Sequence, residues 1–184
     1  MWAFLRRVLR RVMIGGGLLG LLLALGWTLL PGALRTSALH RLGVRHVTAT
    51  DLAGADLAEA RLSDSNFGDG SLARTDLRGA ELTAATFVEA DLRGALLQGA
   101  DLRQANLIDA DLREAKLQRA RLDDAWLSGS NLRGAYLEGA SLTRTWLMGA
   151  DLRGAHGLTQ AQLDGACADG DTRVPSGLQV RSCP

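Results

Sequence analysis

Aspartate is the residue type in this sequence that most suggests chemistry, because paired carboxylates serve as general acid and base in many enzymes. Many of the aspartates, however, recur at multiples of five residues, as Asp91, Asp101 and Asp111 do. Such regularity predicts solvated faces and corner hydrogen bonds rather than a paired-carboxylate active site. The sequence contains no nucleophile beside a base, no glycine-rich phosphate loop after a strand and no metal-spaced cluster. We therefore expect no enzyme activity and no cofactor.

Histidine and cysteine give no stronger sign of catalysis or metal binding. His40 and His46 are six residues apart without a third ligand in the sequence, so surface or packing roles are expected. Cys167 and Cys183 are the two cysteines of the chain. Outside the cytoplasm they would form a disulfide whose loop-closure effect is worth about 3 kcal/mol. Inside the cytoplasm they would be two buried thiols.

A five-residue repeat from Thr50 to Gly154 organises the chain. Leucine or phenylalanine occupies every fifth position from Leu52 to Leu152, which makes 21 pentapeptides. The residue two before each centre is small and the next is often Asp or Asn, so the unit is A-D/N-L-x-x. A period of five fits neither an α-helix nor a flat strand, so the chain must turn between the leucines. Four pentapeptides would close one square coil with the leucines and small residues inside, and coils would stack about 4.8 Å apart.

The repeat resembles that of the pentapeptide repeat family, in motifs such as A-D-L-R-G at Ala90–Gly94 and Ala150–Gly154. The resemblance implies an all-β solenoid, a right-handed quadrilateral β-helix, over residues 50–155. It also suggests a topoisomerase-protecting DNA mimic, since some family members act in that way. Such mimicry needs a strongly acidic surface, whereas residues 50–154 carry 12 basic and 17 acidic residues. This function is therefore the alternative, and we expect no nucleic-acid partner.

The N-terminal region predicts a membrane anchor, as in a membrane-bound bacterial member of the family. Nineteen uncharged residues from Val12 to Leu30 suffice at about 1.5 Å each to cross a hydrocarbon core of about 30 Å. We interpret residues 1–11 as a basic cytoplasmic terminus, 12–34 as a single transmembrane helix or signal anchor, and 35–49 as a linker and first partial coil. The arginines before the span favour a solenoid in the periplasm, tethered to the inner membrane. A cleaved signal peptide, which would give a secreted protein, is the alternative.

The sequence of residues 156–184 predicts a C-terminal cap. Gly157 stands where a leucine belongs, which ends the repeat. Thr159 and Gln162 match a capping box, so we expect a short helix from about Gln160 to Cys167. The cap would cover the last coil, whose open backbone edge otherwise invites edge-to-edge stacking.

One face of the predicted solenoid is apolar and becomes aromatic toward its C-terminal end. Its candidate interaction residues are Val88, Ile108, Trp126, Trp146 and Met148. The spacing predicts that Trp126 and Trp146 stack one coil apart. Exposed apolar patches of this kind often mark contacts with partners. The alternative is that the C-terminal tail folds back over both tryptophans.

The neighbouring face carries arginines in register with aspartates, as Arg113 and Asp111 illustrate, which predicts a solvated charge ladder. A rigid rod with flat faces and no cavity suits a non-catalytic, membrane-tethered scaffold or protein-binding module. The expected partners are the membrane, through the single N-terminal span, and a protein of unknown identity. A homodimer is a further candidate.

Overall fold

The computed structural model describes residues 52–183, and the chain winds through most of them as a four-sided coil. Single-residue parallel bridges join positions 20 apart, from Asp56 with Asp76 to Tyr136 with His156. Each pentapeptide contributes one bridged residue to one side, and residues 52–183 contain no longer strand. The predicted square coil of four pentapeptides is confirmed in the described part of the solenoid.

The predicted membrane anchor lies outside the described residues. This applies to the basic terminus at 1–11, the span at 12–34 and the linker at 35–49, as well as to His40 and His46. Within residues 52–183, no helix has the length and hydropathy that crossing a membrane requires.

The core consists of the repeat centres and the small residues two positions before them. Leu107 and Ala105 are fully buried, and the same holds for nearly every equivalent pair along the coil. Phe67 and Phe87 stack inside with ring centroids 5.0 Å apart. Three buried hydroxyls donate to backbone carbonyls: Thr75 Oγ1 to Leu52 O at 2.8 Å, Ser130 Oγ to Leu127 O at 2.7 Å and Thr145 Oγ1 to Leu122 O at 2.7 Å. Burial of these three hydroxyls therefore leaves no unpaired donor.

The backbone explains how a side of the coil can be a single bridged residue. Leu107 N–H donates to Trp126 O on the following coil at 2.7 Å, and Asn106 N–H donates to Ala85 O on the preceding coil at 2.9 Å. Ala110 N–H then donates to Leu107 O at 3.2 Å and closes a turn. Hydrogen bonds between neighbouring coils thus pair backbone N–H and C=O groups that an isolated short strand would leave without partners.

Every corner of the coil places one residue in the left-handed region. The residue two after each centre has a positive φ, with Gly99 at 67°, Ala84 at 56° and Asp109 at 56°. A positive φ at the third turn residue is the type II arrangement that glycine favours. The repeat supplies glycine at nine of these 21 corners, and the other 12 use residues with a side chain. Such residues pay about 1 kcal/mol or more for the conformation, so the core and the backbone ladder must hold them there.

The Asp or Asn before each centre has a structural role in the same turn. Its side-chain oxygen accepts the N–H of the residue after the centre, as Asn106 Oδ1 does from Ile108 N–H at 3.2 Å. Asp111 Oδ1 accepts from Arg113 N–H at 3.2 Å in the same way. The coil ladder offers this N–H no backbone acceptor, so the A-D/N-L pattern supplies one locally.

A short helix, α1 (Gln160–Asp164), follows the last complete coil. Its capping box is formed by Thr159 and Gln162, as predicted. The predicted end at Cys167 is wrong, because the chain leaves the helix at Gly165 and Cys167 then bridges to Trp146. Gln162 Nε2 also donates to Leu137 O at 2.9 Å and to Ala140 O at 2.8 Å, which pairs two carbonyls at the end of the coil.

The tail after α1 continues the coil rather than crossing its sides. Arg173 bridges to Asp151, and Ser182 bridges back to Ala168 within the tail itself. The structure joins Cys167 and Cys183 in a disulfide, with their Cα atoms 4.9 Å apart. The disulfide therefore ties the end of the chain to the layer that follows Trp146.

Candidate interaction face

The Trp face is one side of the coil, defined by two columns of outward residues. The first column holds the bridged residues and the second holds the residues after the centres. Its members are Asn66, Thr86, Asn106, Trp126 and Trp146 in the first column, and Gly68, Val88, Ile108, Ser128 and Met148 in the second. Since bridges at 20-residue spacing fix the register, the five candidate interaction residues lie on this one side, as the spacing predicted.

Trp126 and Trp146 are the large hydrophobic side chains that the structure leaves exposed. Their exposed fractions are 51% and 43% with the C-terminal tail in place. The alternative in which the tail covers them is therefore wrong, because the tail adds layers to the end of the coil instead. The predicted stacking is also wrong: the two residues are bridged neighbours, but the stacked ring pairs among residues 52–183 are Phe67–Phe87 and Tyr136–His156.

The remaining apolar candidates lie in the column next to the tryptophans. Val88, Ile108 and Met148 are half-buried. Val88 O and Met148 O accept backbone N–H groups of neighbouring coils, at 2.9 Å from Asp69 and 2.8 Å from Gly129. The backbone that carries these side chains is thus held by hydrogen bonds between coils, which makes the base of the surface rigid.

The tryptophans replace a residue type that the turn uses. At Asn106 the side chain accepts the N–H of Ile108, but an indole has no acceptor to offer. Among the described residues, Ser128 N–H and Met148 N–H have no hydrogen-bond acceptor. The two positions therefore forgo a local hydrogen bond, worth about 1 kcal/mol, while exposing a large apolar ring.

An aromatic residue on another side shows the opposite behaviour. Tyr136 lies between Lys116, whose Nζ is 3.2 Å from the ring centroid, and His156, whose ring centroid is 4.5 Å away. Both neighbours belong to adjacent coils of the same side. The phenol is thus covered from above and below by its own chain, whereas Trp126 and Trp146 are left to solvent.

A column of acidic residues borders the N-terminal half of the Trp face, and sequence analysis missed it. Asp69, Glu89 and Asp109 occupy the positive-φ corner of three successive coils, with φ of 57°, 58° and 56°. We call these three residues the acidic corner. All three are exposed, and no salt bridge to any of them occurs within residues 52–183. The 20-residue sorting that revealed the tryptophans would have found this column too, had it included the second residue after each centre.

The ion-pair face is the next side of the coil, with Ser71, Asp91, Asp111, Asn131 and Asp151 in its bridged column. Three of its arginines, Arg93, Arg113 and Arg153, bind the aspartate of their own pentapeptide, as Arg93 Nη2 does to Asp91 Oδ2 at 2.7 Å. The contact to the next coil is longer, at 3.9 Å from Arg93 Nε to Asp111 Oδ2. Hydrogen bonds from the Arg93 guanidinium hold the pKa of Asp91 below its usual range, and Arg153 does the same for the pKa of Asp151. The predicted solvated charge ladder is thus confirmed, with the main pairing inside each repeat.

No cluster of three or more His, Cys, Asp or Glu side chains in residues 52–183 could hold a metal ion. The two cysteines, Cys167 and Cys183, are joined to each other. Among the described residues, the Trp face is the surface on which large hydrophobic side chains are exposed.

Comparison with known proteins agrees with this architecture. The family model described as pentapeptide repeats matches residues 48–83, 60–99, 85–124 and 115–154. The search of curated proteins gave no significant match.

Solved structures similar to the chain include HetL, a pentapeptide repeat protein involved in heterocyst differentiation regulation from the cyanobacterium Nostoc. It is 24% identical, with 79% of this chain and 97% of that chain covered and a TM-score of 0.34. A pentapeptide repeat protein from the Arabidopsis thaliana thylakoid lumen is 30% identical over 59% of this chain and 70% of that one, with a TM-score of 0.31. Full-length QnrB1, a plasmid-mediated fluoroquinolone resistance protein, is 17% identical over 62% of this chain and 80% of that one, with a TM-score of 0.28.

Proposed function

Since the chain belongs to the pentapeptide repeat family, whose members are right-handed quadrilateral β-helices, we propose that it is a non-catalytic protein-binding module. Its binding surface is the Trp face. The observation that carries the proposal is the exposure of Trp126 and Trp146 at 51% and 43% on a surface that the tail leaves open. Aromatic residues on a rigid, preorganised surface are typical anchors of protein interfaces.

The structural cost of the tryptophans supports the same conclusion. Each one replaces a side chain that could accept a turn N–H, and each leaves about half of an indole in water. Neither feature stabilises the isolated solenoid, because a covered aromatic residue such as Tyr136 gains contacts that these indoles lack. Burial against a partner would recover that apolar area at about 25 cal/mol per Å².

The test is the full-length double variant Trp126→Asn and Trp146→Asn. Asparagine restores an acceptor for Ser128 N–H and Met148 N–H, which offsets the lost indole packing, so the melting temperature should change by a few degrees at most. A photo-crosslinking amino acid at Ser128 should trap a specific protein adduct in native cells. This adduct should disappear in the double variant.

The matched control carries the same substitutions on the adjacent side of the same coils, as Arg121→Asn and Ser141→Asn. Both positions are bridged residues, like the tryptophans. The control should keep both the adduct and the melting temperature. An adduct that survives Trp126→Asn and Trp146→Asn would show that the indoles do not carry the binding. A melting temperature that collapses in that variant would assign them a structural role instead.

We further propose that the module is tethered to the inner membrane by residues 12–34, with the solenoid outside the cytoplasm. The uncharged sequence of that segment supports the tether, and the pairing of Cys167 with Cys183 fits an oxidising compartment. A reporter that is active only outside the cytoplasm, fused after Pro184, should be active. Both cysteines should resist alkylation until the protein is reduced. An inactive reporter together with free thiols would contradict this location, and a soluble, shortened protein would favour signal-peptide cleavage.

A topoisomerase-protecting DNA mimic is the alternative function. The acidic excess of residues 52–183, with 19 acidic and 14 basic residues, is in its favour. Against it, arginines bound to neighbouring aspartates interrupt the acidic surface, as at Arg103 and Asp101, 2.6 Å apart. A DNA-supercoiling assay with the full-length protein separates the two functions, since protection of the topoisomerase is expected only from the mimic.

A further inference from the structure

We propose that the ligand of the Trp face is a linear segment of another protein that is basic at one end and apolar at the other. This inference rests on the proposed function, namely that the Trp face is the binding surface, and names the chemistry of the partner. It follows from how charge and aromatic area are distributed along the face.

The acidic end of the site is the acidic corner. Its carboxylates rise one coil at a time, about 4.8 Å per step, and none of the three is bound to a cation among the described residues. The aspartates of the ion-pair face differ in this respect, since Asp91 and Asp151 each hold an arginine at 2.7 Å and 2.6 Å. Three carboxylates in a row without cations attract a segment that carries lysine or arginine.

The aromatic end of the site begins where the acidic corner stops. On the next two coils the corner residues are Gly129 and Gly149, with φ of 70° and 68°. Glycine adds no side chain at either corner. The Asp109 carboxylate lies over the Gly129 corner, whereas the Gly149 corner is open, so the last acidic side chain lies next to the level of the indoles. The bridged column changes at the same level, from the polar residues Asn66, Thr86 and Asn106 to tryptophan.

The length of the site defines the size of the ligand. Four coil steps separate Asp69 from Gly149, which corresponds to about 19 Å. An extended segment of about six residues or a helix of about 13 residues spans that distance. Its basic residues would face the acidic corner, and its apolar residues would cover the indoles.

Other occupants fit the face less well. Nucleic acid and anionic membranes would be repelled by the acidic corner. In a two-fold dimer through this face, the acidic corner of one copy would meet a surface without free cations. The columns of the Trp face contain no basic residue, and Arg144 at the opposite corner is bound to Asp124 at 2.6 Å.

The experiment measures binding of fluorescent synthetic peptides to the full-length protein by anisotropy. The probe has a block of arginines followed by a block of leucine and tryptophan. One comparison peptide alternates the same residues, and another replaces the arginines by glutamates. The block peptide should bind at least about tenfold more tightly than either of them.

Two sets of variants locate the contacts. Asp69→Asn, Glu89→Gln and Asp109→Asn together should weaken the block peptide about tenfold at low ionic strength, and the loss should shrink in about 0.5 M NaCl. The same charge change at unpaired acidic residues away from the Trp face, Glu59→Gln, Glu114→Gln and Glu138→Gln, should leave affinity unchanged. Trp126→Asn with Trp146→Asn should weaken binding at both salt concentrations.

Several outcomes would overturn the inference. Equal binding of the glutamate peptide, or unchanged affinity after neutralisation of the acidic corner, would exclude a basic ligand. A dimer in sedimentation that dissociates in the double tryptophan variant would assign the face to a second copy. Peptide binding that appears only after Arg6, Arg7, Arg10 and Arg11 are replaced by Gln would assign it to the chain's own N-terminal segment. If the adduct trapped at Ser128 still depends on the tryptophans while no peptide binds, the proposed function stands and the basic ligand does not.

Discussion

The Trp face and the ion-pair face share one backbone and one core but use their outward positions differently. On the ion-pair face, Asp111 accepts the turn N–H of Arg113 and also binds its guanidinium at 2.6 Å. On the Trp face, Asn106 accepts a turn N–H, but Trp126 and Trp146 have no such role. The comparison shows that four of the five bridged residues of the ion-pair face accept a turn N–H, which neither tryptophan can do. Positions that depart from this arrangement are therefore where binding is to be sought.

The largest expected effect is the loss of the core that the two faces share. Leu107→Asp beneath the Trp face and Leu112→Asp beneath the ion-pair face should each unfold the solenoid, because both side chains are fully buried and a carboxylate there has no partner. The measurement is far-UV circular dichroism with thermal melting. Gln104→Asp, at an exposed corner, is the control and should stay folded. A folded Leu112→Asp protein beside an unfolded Leu107→Asp protein would show that the faces do not share one core.

A smaller effect separates the turn hydrogen bond from the ion pair. Asp111→Ala removes both and should cost about 1 to 2 kcal/mol, whereas Asp111→Asn keeps the turn bond and should cost under about 0.5 kcal/mol. On the Trp face, Asn106→Ala removes only the turn bond and should cost about 1 kcal/mol. Denaturant unfolding measures all three. Equal costs for Asp111→Asn and Asp111→Ala would show that the turn bond contributes nothing.

Two corner glycines, one beside each face, allow a matched pair of substitutions whose effect on stability should be about as large as the loss of a turn hydrogen bond. Gly149 borders the Trp face and Gly154 the ion-pair face, with φ of 68° and 69°, and a Cβ at either would have its nearest neighbour 3.9 Å away. Since space is available at both, Gly149→Ala and Gly154→Ala should each cost about 1 kcal/mol through the positive φ alone. Thermal melting of the two proteins should therefore agree. A clear difference would mean that the faces differ in backbone strain as well as in side chains.

The fold could be predicted from the sequence because its period is directly visible. Leucine at every fifth position, with a small residue two before it, defines the inward side chains and the four-sided coil. The corners were predictable only in part. Asp109 and Ala84 adopt the same positive φ as the corner glycines, but their residue types do not indicate it. The core and the interlocking ladder impose that conformation, and neither is visible in a single pentapeptide.

The candidate site could be predicted as a surface but not in its details. The period of 20 placed the Trp126 and Trp146 side chains on one side, which the bridges confirm. Periodicity does not encode side-chain torsions or the path of a tail. The sequence therefore could not decide whether the indoles stack or whether the tail covers them. The end of α1 was missed for a related reason: the bridge between Cys167 and Trp146 competes with the helix, and only the fold brings these residues together.

The smallest expected effect concerns the response of the ion-pair face to acid. Hydrogen bonds from the neighbouring arginine side chains lower the pKa of Asp91 and Asp151. A carboxylate with a lowered pKa in the folded state contributes stability above its unfolded pKa, about 3.9, and loses it as the pH falls through the folded value. Asp91→Asn with Asp151→Asn should therefore flatten the fall in melting temperature below about pH 4.

The arginine partners provide the second half of this test. Arg93→Gln with Arg153→Gln leaves both carboxylates in place but removes the groups that lower their pKa, so it should flatten the same part of the pH profile. Both changes should be small, because the pairs are exposed, and smaller still at high salt. Melting curves from pH 7 to about pH 2 measure the effect. If the melting temperature falls as steeply with acid in both variants as in the parent, the ion pairs of this face contribute nothing measurable to stability. Its difference from the Trp face would then lie only in the turn hydrogen bonds and the exposed indoles.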